Sequence, residues 1–252
     1  MSRYIRGEIC NNSLIKEVEI MNEKSPIFTR NMKCPACTTA FPTTNVRISY
    51  PKTYEISTDF CVTYQDEENS PYLYYVNVCE SCGYAYTKNS RPLTRDSVQV
   101  IQQKISINWT PRSFGNKRSL EDAITVYKLA IYTSIIKNEK FYMLAGLLLR
   151  LGWLYRKMNN IEQEERFIRK AYETYKKSYD LADYSGSEMS EVRIIYLIGE
   201  LARRLNEFEQ AISFFSKVIS HPNGHFEKGI VEKAREQWHL TREEAKIVQI
   251  DG

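Results

Sequence analysis

The spacing of apolar and polar positions along this chain changes near residue 119. Between residues 31 and 90 the pattern is one of alternation. Val46, Ile48 and Tyr50 alternate with polar neighbours, as do Val62 and Tyr64. Tyr72, Tyr74, Val76 and Val78 would share one face of a further strand. Turn residues separate the runs, at Pro51 and across Glu67-Glu68-Asn69-Ser70-Pro71. This region is predicted to be β-rich. Residues 1–30 are polar without a clear period and read as an N-terminal arm. Residues 91–118 read as a connector. Within it Asp96 would cap a short helix that carries Val98, Ile101 and Ile105 on one face, and residues 110–116 form a loop.

From residue 119 onward the period is helical. Ser119 and Asp122 have the spacing of a capping box, and Ala123, Tyr127, Ala130 and Ile131 fall on one face. Breaks fall at Asn138, at Asn159-Asn160, at Ser185-Gly186-Ser187, at Asn206 and at Pro222-Asn223-Gly224. They divide residues 119–247 into about six amphipathic helices with short connections, which implies antiparallel neighbours. Leu148-x2-Leu151-Gly152-x2-Tyr155 and Ile198-Gly199 followed by Ala211-x3-Phe215 echo the tetratricopeptide (TPR) pattern. The Gly152-to-Gly199 spacing is 47 rather than 34, and Ile168 stands where Phe is expected. The predicted fold is therefore α+β and multidomain. A small β-rich, zinc-ribbon-like domain (31–90) is followed by an all-α, TPR-like array (119–247).

The chain has 252 residues and is 42% apolar, enough for a substantial core. It has no apolar run long enough to span a bilayer. Its start, Met1-Ser2-Arg3-Tyr4-Ile5-Arg6, lacks the apolar stretch of a secretory signal. A cytoplasmic location with no membrane partner is expected. The net charge is +4, but its distribution says more. The helical half is balanced, and residues 53–87 hold six acids (Glu55, Asp59, Asp66, Glu67, Glu68 and Glu80) with no Lys or Arg. Such a stretch is a poor surface for phosphates.

Of the six cysteines, four form two Cys-x2-Cys pairs, Cys34/Cys37 and Cys79/Cys82. Two such pairs can surround one zinc ion with four thiolates. They lie 41 residues apart, a gap the predicted strands would fill as a small sheet clamped by the metal. Four cysteine ligands leave no open position for a water nucleophile, so one structural zinc is expected. Cys61 lies in an alternating strand and reads as a packed side chain, or else as a metal ligand or redox thiol. Cys10 lies in the arm. His221 and His225 have helical ligand spacing, but Pro222 and Gly224 between them favour a loop. No phosphate-binding glycine loop and no nucleophile elbow are present.

Several blocks resemble the uncharacterised bacterial family DUF2225. They are Cys34-Pro-Ala-Cys37, Thr58-Asp59-Phe60-Cys61, Asn69-Ser-Pro71 with Tyr74 and Tyr75, and Cys79-Glu-Ser-Cys82-Gly83-Tyr84-Ala85. Arg118-Ser-Leu-Glu-Asp-Ala123 running into Tyr127-Lys128-Leu129-Ala130 is a fifth. Thr38, where many zinc knuckles carry Gly, and Ser70 depart from the expected pattern. The resemblance implies a zinc-ribbon-like module coupled to TPR-like helices, and it implies no established activity. Three functions follow as expectations. The first is a non-enzymatic zinc protein that binds a protein or peptide partner. The second is nucleic-acid binding, with Tyr72, Tyr74 and Tyr75 stacking bases and Arg3, Arg6, Lys16, Lys24, Arg30 and Lys33 meeting phosphates. The third is a thiol redox sensor using Cys61 with a knuckle cysteine.

Overall fold

The computed structural model describes residues 25–250, with side chains to residue 247. Of the expected arm, residues 1–24 and Cys10 lie outside this range. Three antiparallel hairpins come first. β1 (Ile27–Lys33) pairs with β2 (Ala40–Val46), β3 (Thr53–Ile56) with β4 (Val62–Tyr64), and β5 (Asn77–Val78) with β6 (Ala85–Tyr86). They do not join into the single small sheet expected. β1 also begins inside the expected arm, where its mostly exposed residues give no periodic signal.

Two strand expectations need correction. The run through Ile48 and Tyr50 ends at Val46, and Ile48 is fully exposed. The run from Tyr72 to Val78 is not one strand. Pro71–Tyr74 is a 3-10 turn, started by Ser70, whose hydroxyl accepts from the Tyr72 N–H, and by Pro71 with its fixed φ. Only Asn77–Val78 is extended and paired. Arg118 accounts for the turn. Its side chain is buried, and it donates to the carbonyls of Leu73 (3.0 Å), Val76 (2.8 Å) and Phe114 (2.8 Å). Carbonyls that a sheet would have paired are thus gathered on one guanidinium. Burial lowers the Arg118 pKa to about 10.

Seven α-helices follow among the described residues. α1 (Arg95–Lys104) is capped by Thr94, whose hydroxyl accepts from the Ser97 N–H. Asp96, the expected cap, sits instead in the first turn, where its charge suits the helix dipole. α2 (Leu120–Ile136) carries the expected capping box of Ser119 and Asp122. α3 (Phe141–Lys157), α4 (Ile161–Leu181), α5 (Glu191–Arg204), α6 (Phe208–Ile219) and α7 (Lys228–Ile250) complete the chain. The breaks fall where the sequence put them. Asn138, Asn159 and Asn206 each take a left-handed conformation, which asparagine tolerates better than most residues.

Successive helix pairs meet alike. A Cβ on Gly152 of α3 would lie 3.0 Å from Ile168 of α4, and one on Gly199 of α5 would lie 3.0 Å from Phe215 of α6. The apolar core does not respect the change of secondary structure. Cys61, Leu73, Val76, Val78 and Ala85 pack in the same cluster as Tyr127, Leu151, Ile195 and Phe215.

Replacing Arg118 with Lys keeps the charge but loses the planar fork. It should leave buried carbonyls unpaired and cost about 1–3 kcal/mol or more. A denaturant midpoint unchanged in Arg118→Lys would remove this account of the turn.

Candidate metal centre

Each Cys-x2-Cys pair sits at a hairpin tip, and the two tips are built alike. In the first, Lys33 pairs with Ala40; in the second, Val78 pairs with Ala85. The N–H of Cys34 donates to Thr39 O (2.9 Å), and that of Cys79 donates to Tyr84 O (3.0 Å). The Thr38 N–H closes back on Cys34 O (3.0 Å), and the Gly83 N–H on Cys79 O (2.9 Å). Both closing residues have positive φ, 63° at Thr38 and 73° at Gly83. The turn therefore needs a left-handed residue after its second cysteine. Glycine meets that need without strain, and Thr38 meets it at a cost of about 1–2 kcal/mol. Gly83 has a second reason to be glycine: a Cβ there would lie 2.5 Å from the Trp109 ring. Trp109 in turn donates to Glu80 O (2.7 Å), and Ser106 donates to Cys82 O (3.0 Å), so the connector braces the second tip.

The tips face each other. The four Sγ atoms of Cys34, Cys37, Cys79 and Cys82 all lie within 4.8 Å of one another. The close pairs cross between tips, at 3.7 Å for Cys34–Cys82 and 3.6 Å for Cys37–Cys79. A tetrahedron with metal–sulfur bonds of about 2.3 Å has edges of roughly 3.8 Å. The cage thus has the donor set and spacing for one tetrahedral ion. Cys34, Cys79 and Cys82 are buried, and Cys37 is partly exposed. The thiols are electrostatically unequal. The hydrogen bond from Cys82 lowers Cys34 to about 5, against its burial. Burial raises Cys79 to about 11, and the bond to Cys34 raises Cys82 beyond the ordinary thiol range. Four thiolates at this spacing repel one another, and a divalent cation is what allows all four to ionise.

Phe41, Tyr84, Tyr86, Ile101 and Ile105 surround the cage, and Ile136 of α2 packs against it. The cage is the only such cluster of His, Cys, Asp or Glu among the described residues. The histidines are elsewhere: His221 faces Glu191, and His225 contacts Pro222 O. Cys61 is not part of the cage. It lies in the main core, where burial first and Asp59 second raise its pKa to about 11. A thiol so protonated is a poor nucleophile. Tyr72 and Tyr74 are buried, and Tyr75 lies over Tyr127 with ring centroids 6.3 Å apart. Two of the three tyrosines of the expected base-stacking platform are therefore core.

Sequence reasoning missed a second polar centre. The turn between β3 and β4 carries Thr58 and Asp59 into the helices. Asp59, 0% exposed, accepts from Arg156 (2.7 Å) and from Trp153 Nε1 (3.0 Å) of α3, with Arg204 of α5 at 3.5 Å. Thr58 donates to the buried Glu200 of α5 (2.6 Å), and Tyr196 donates to Thr58 O (2.8 Å). Arg203 and Arg204 both bind Glu200. Nearby, Glu67 pairs with Lys157 at 2.7 Å. Part of the acidic stretch thus complements cations on the helices. Burial pushes the Asp59 carboxyl up, but the Arg156 bond and the charges of Arg204 and Arg156 outweigh it and hold the pKa below the usual range.

Two outcomes follow. Cys79→Ser should abolish stoichiometric metal binding and lower the melting temperature of the helical signal as well, because cage and helices share packing. A helical transition unchanged in that variant would refute the coupling. Asp59 stabilises the fold above its unfolded pKa of about 4, and that contribution fades as pH falls toward its lower native value. The urea midpoint of Asp59→Asn should start lower at neutral pH and fall less on acidification below pH ~4; parallel pH profiles would refute this.

No curated protein and no solved structure matches the chain. A family model does, over residues 27–241, which takes in the cage, the Thr58-Asp59 turn and most of the helices. The chain belongs to that family, DUF2225, described as an uncharacterized protein conserved in bacteria.

Proposed function

We propose that this protein is a non-enzymatic interaction scaffold, stabilised by one structural zinc held by Cys34, Cys37, Cys79 and Cys82. The observation that carries the reading is the four-sulfur cage itself. It supplies all four ligands a tetrahedral ion takes and leaves no position for substrate or water. A soft, all-thiolate, tetrahedral donor set suits zinc among the common metals. When bound, the metal supplies cross-linking between two hairpin tips rather than Lewis-acid chemistry.

The helices supply the surface for a protein or peptide partner. In this reading α3/α4 and α5/α6 are TPR-like pairs, supported by their matching Gly152–Ile168 and Gly199–Phe215 contacts. In a solenoid of such pairs the first helices line a concave face that commonly holds a peptide. Here Trp153, Arg156, Tyr196, Glu200 and Arg204, all on α3 and α5, already hold the chain's own Thr58-Asp59 turn. That part of the face serves the fold. The partner surface lies on the remaining helical faces.

Affinity capture of the tagged chain from a native lysate, with and without nuclease, tests the proposal. The expected result is a stoichiometric protein partner that survives nuclease and is lost when a chelator strips the metal. Recovery of nucleic acid, or of partners that nuclease releases, would overturn it in favour of nucleic-acid binding. Recovery of no partner would also overturn it.

A further inference from the structure

A cavity of about 740 Å³ opens where the β-rich half meets the helices, between Tyr75 and Asn89 on one side and α3, α4 and the start of α5 on the other. That volume is in the range of small-molecule sites, and a junction of two structural units is a common place for one. Arg150 of α3 lines it. The residue is half-buried. It lies over the Tyr75 ring at 4.5 Å and near the Trp153 ring at 5.7 Å. One of its donors is used on Gly146 O at 2.9 Å. No ion pair to Arg150 occurs among the described residues. Other arginines of the helical half do have acids: Arg156 has Asp59 and Glu164, and Arg203 and Arg204 have Glu200.

Tyr175 supplies an independent observation. Its side chain is 2% exposed and lines the same cavity. Its hydroxyl makes no hydrogen bond among the described residues and is not sealed from solvent, so it is open to a ligand in the cavity. The walls carry further cations and aromatic surface. Lys140 lines the cavity, as do Arg91, which is paired with Glu139, and Arg193, which is paired with Glu227. Tyr142 and Met143 add apolar area, and Glu188 is the one carboxylate on the lining.

We propose that this cavity binds a small aromatic anion, with Arg150 and the Tyr175 hydroxyl taking the carboxylate or phosphate group and the Tyr142 ring packing against the ligand's ring. Guanidinium forks match both headgroups, and tyrosine faces suit a flat apolar body. The site is independent of the metal and of the scaffold reading.

Calorimetric titration of the full-length, metal-loaded chain with phenyl phosphate, benzoate, inorganic phosphate and phenol tests it. Phenyl phosphate or benzoate should bind at millimolar affinity or tighter, as expected for ligands of this size. The tighter of the two identifies the headgroup. Inorganic phosphate and phenol should each bind more weakly, since each offers half of the recognition. Arg150→Gln should weaken binding by about tenfold or more. Asn89→Asp places a negative charge at an exposed position on the lining, out of the core, and should weaken binding by a few-fold. No binding by either aromatic anion at roughly 10 mM, or equal binding by inorganic phosphate, would overturn the proposal. So would unchanged affinity in a folded Arg150→Gln. Should Arg150→Gln fail to fold, unchanged affinity in Asn89→Asp would overturn it.

Discussion

The six strands among the described residues, two to seven residues long and paired only two by two, cannot hold themselves together in water. Everything else in the β-rich half answers that constraint. At one end two hairpin tips bring four sulfurs within 4.8 Å of one another, a spacing at which thiolates need a cation between them. At the other end the hairpins are pinned to helices by groups that cannot be left unpaired. Structural zinc in small peptides contributes on the order of 10–16 kcal/mol to folding, so a closed cage is large on the scale of a domain's net stability.

The pins on the helical side are charges rather than apolar contacts alone. Arg118 gathers three backbone carbonyls, and Asp59 sits fully buried between Trp153 and two arginines. Removing one partner of such a buried group leaves the other stranded, which typically costs about 3–5 kcal/mol. The same pins fix relative placement. A hairpin that slid by one residue would carry Asp59 away from Arg156, so the ion cluster fixes register as well as adding stability. Among the described residues the larger of two apolar clusters runs through both kinds of secondary structure, and the cage sits in the smaller.

Much of this was legible in the sequence because it is local. The helix breaks at Asn138, Asn159 and Asn206 are single residues with a conformational preference of their own. The cysteine pairs announce their chemistry by spacing, and the structure brings them into one cluster. What could not be read depends on distant residues. Alternation at Tyr72, Tyr74, Val76 and Val78 looked like a strand, because nothing nearby shows that Arg118 would draw in the Leu73 and Val76 carbonyls from more than 40 positions away. The acids of residues 53–87 read only as a poor surface for phosphates, because Arg156 and Lys157 lie about 90 or more residues downstream. One signal is local: Arg150 interrupts the run Leu147-Leu148-Leu149-Arg150-Leu151, and a cation within so apolar a stretch of helix marks a place where the chain wants a charge.

In the proposed reading the four cysteines close around one zinc and the fold relies on this closure. Stepwise thiol modification of the native protein, with released zinc followed in the same sample, addresses it most directly. One zinc per chain should be liberated as four thiols react, with the helical signal weakening in step. A chain that releases no zinc, or whose helices are indifferent to modification of all four cysteines, would contradict the account.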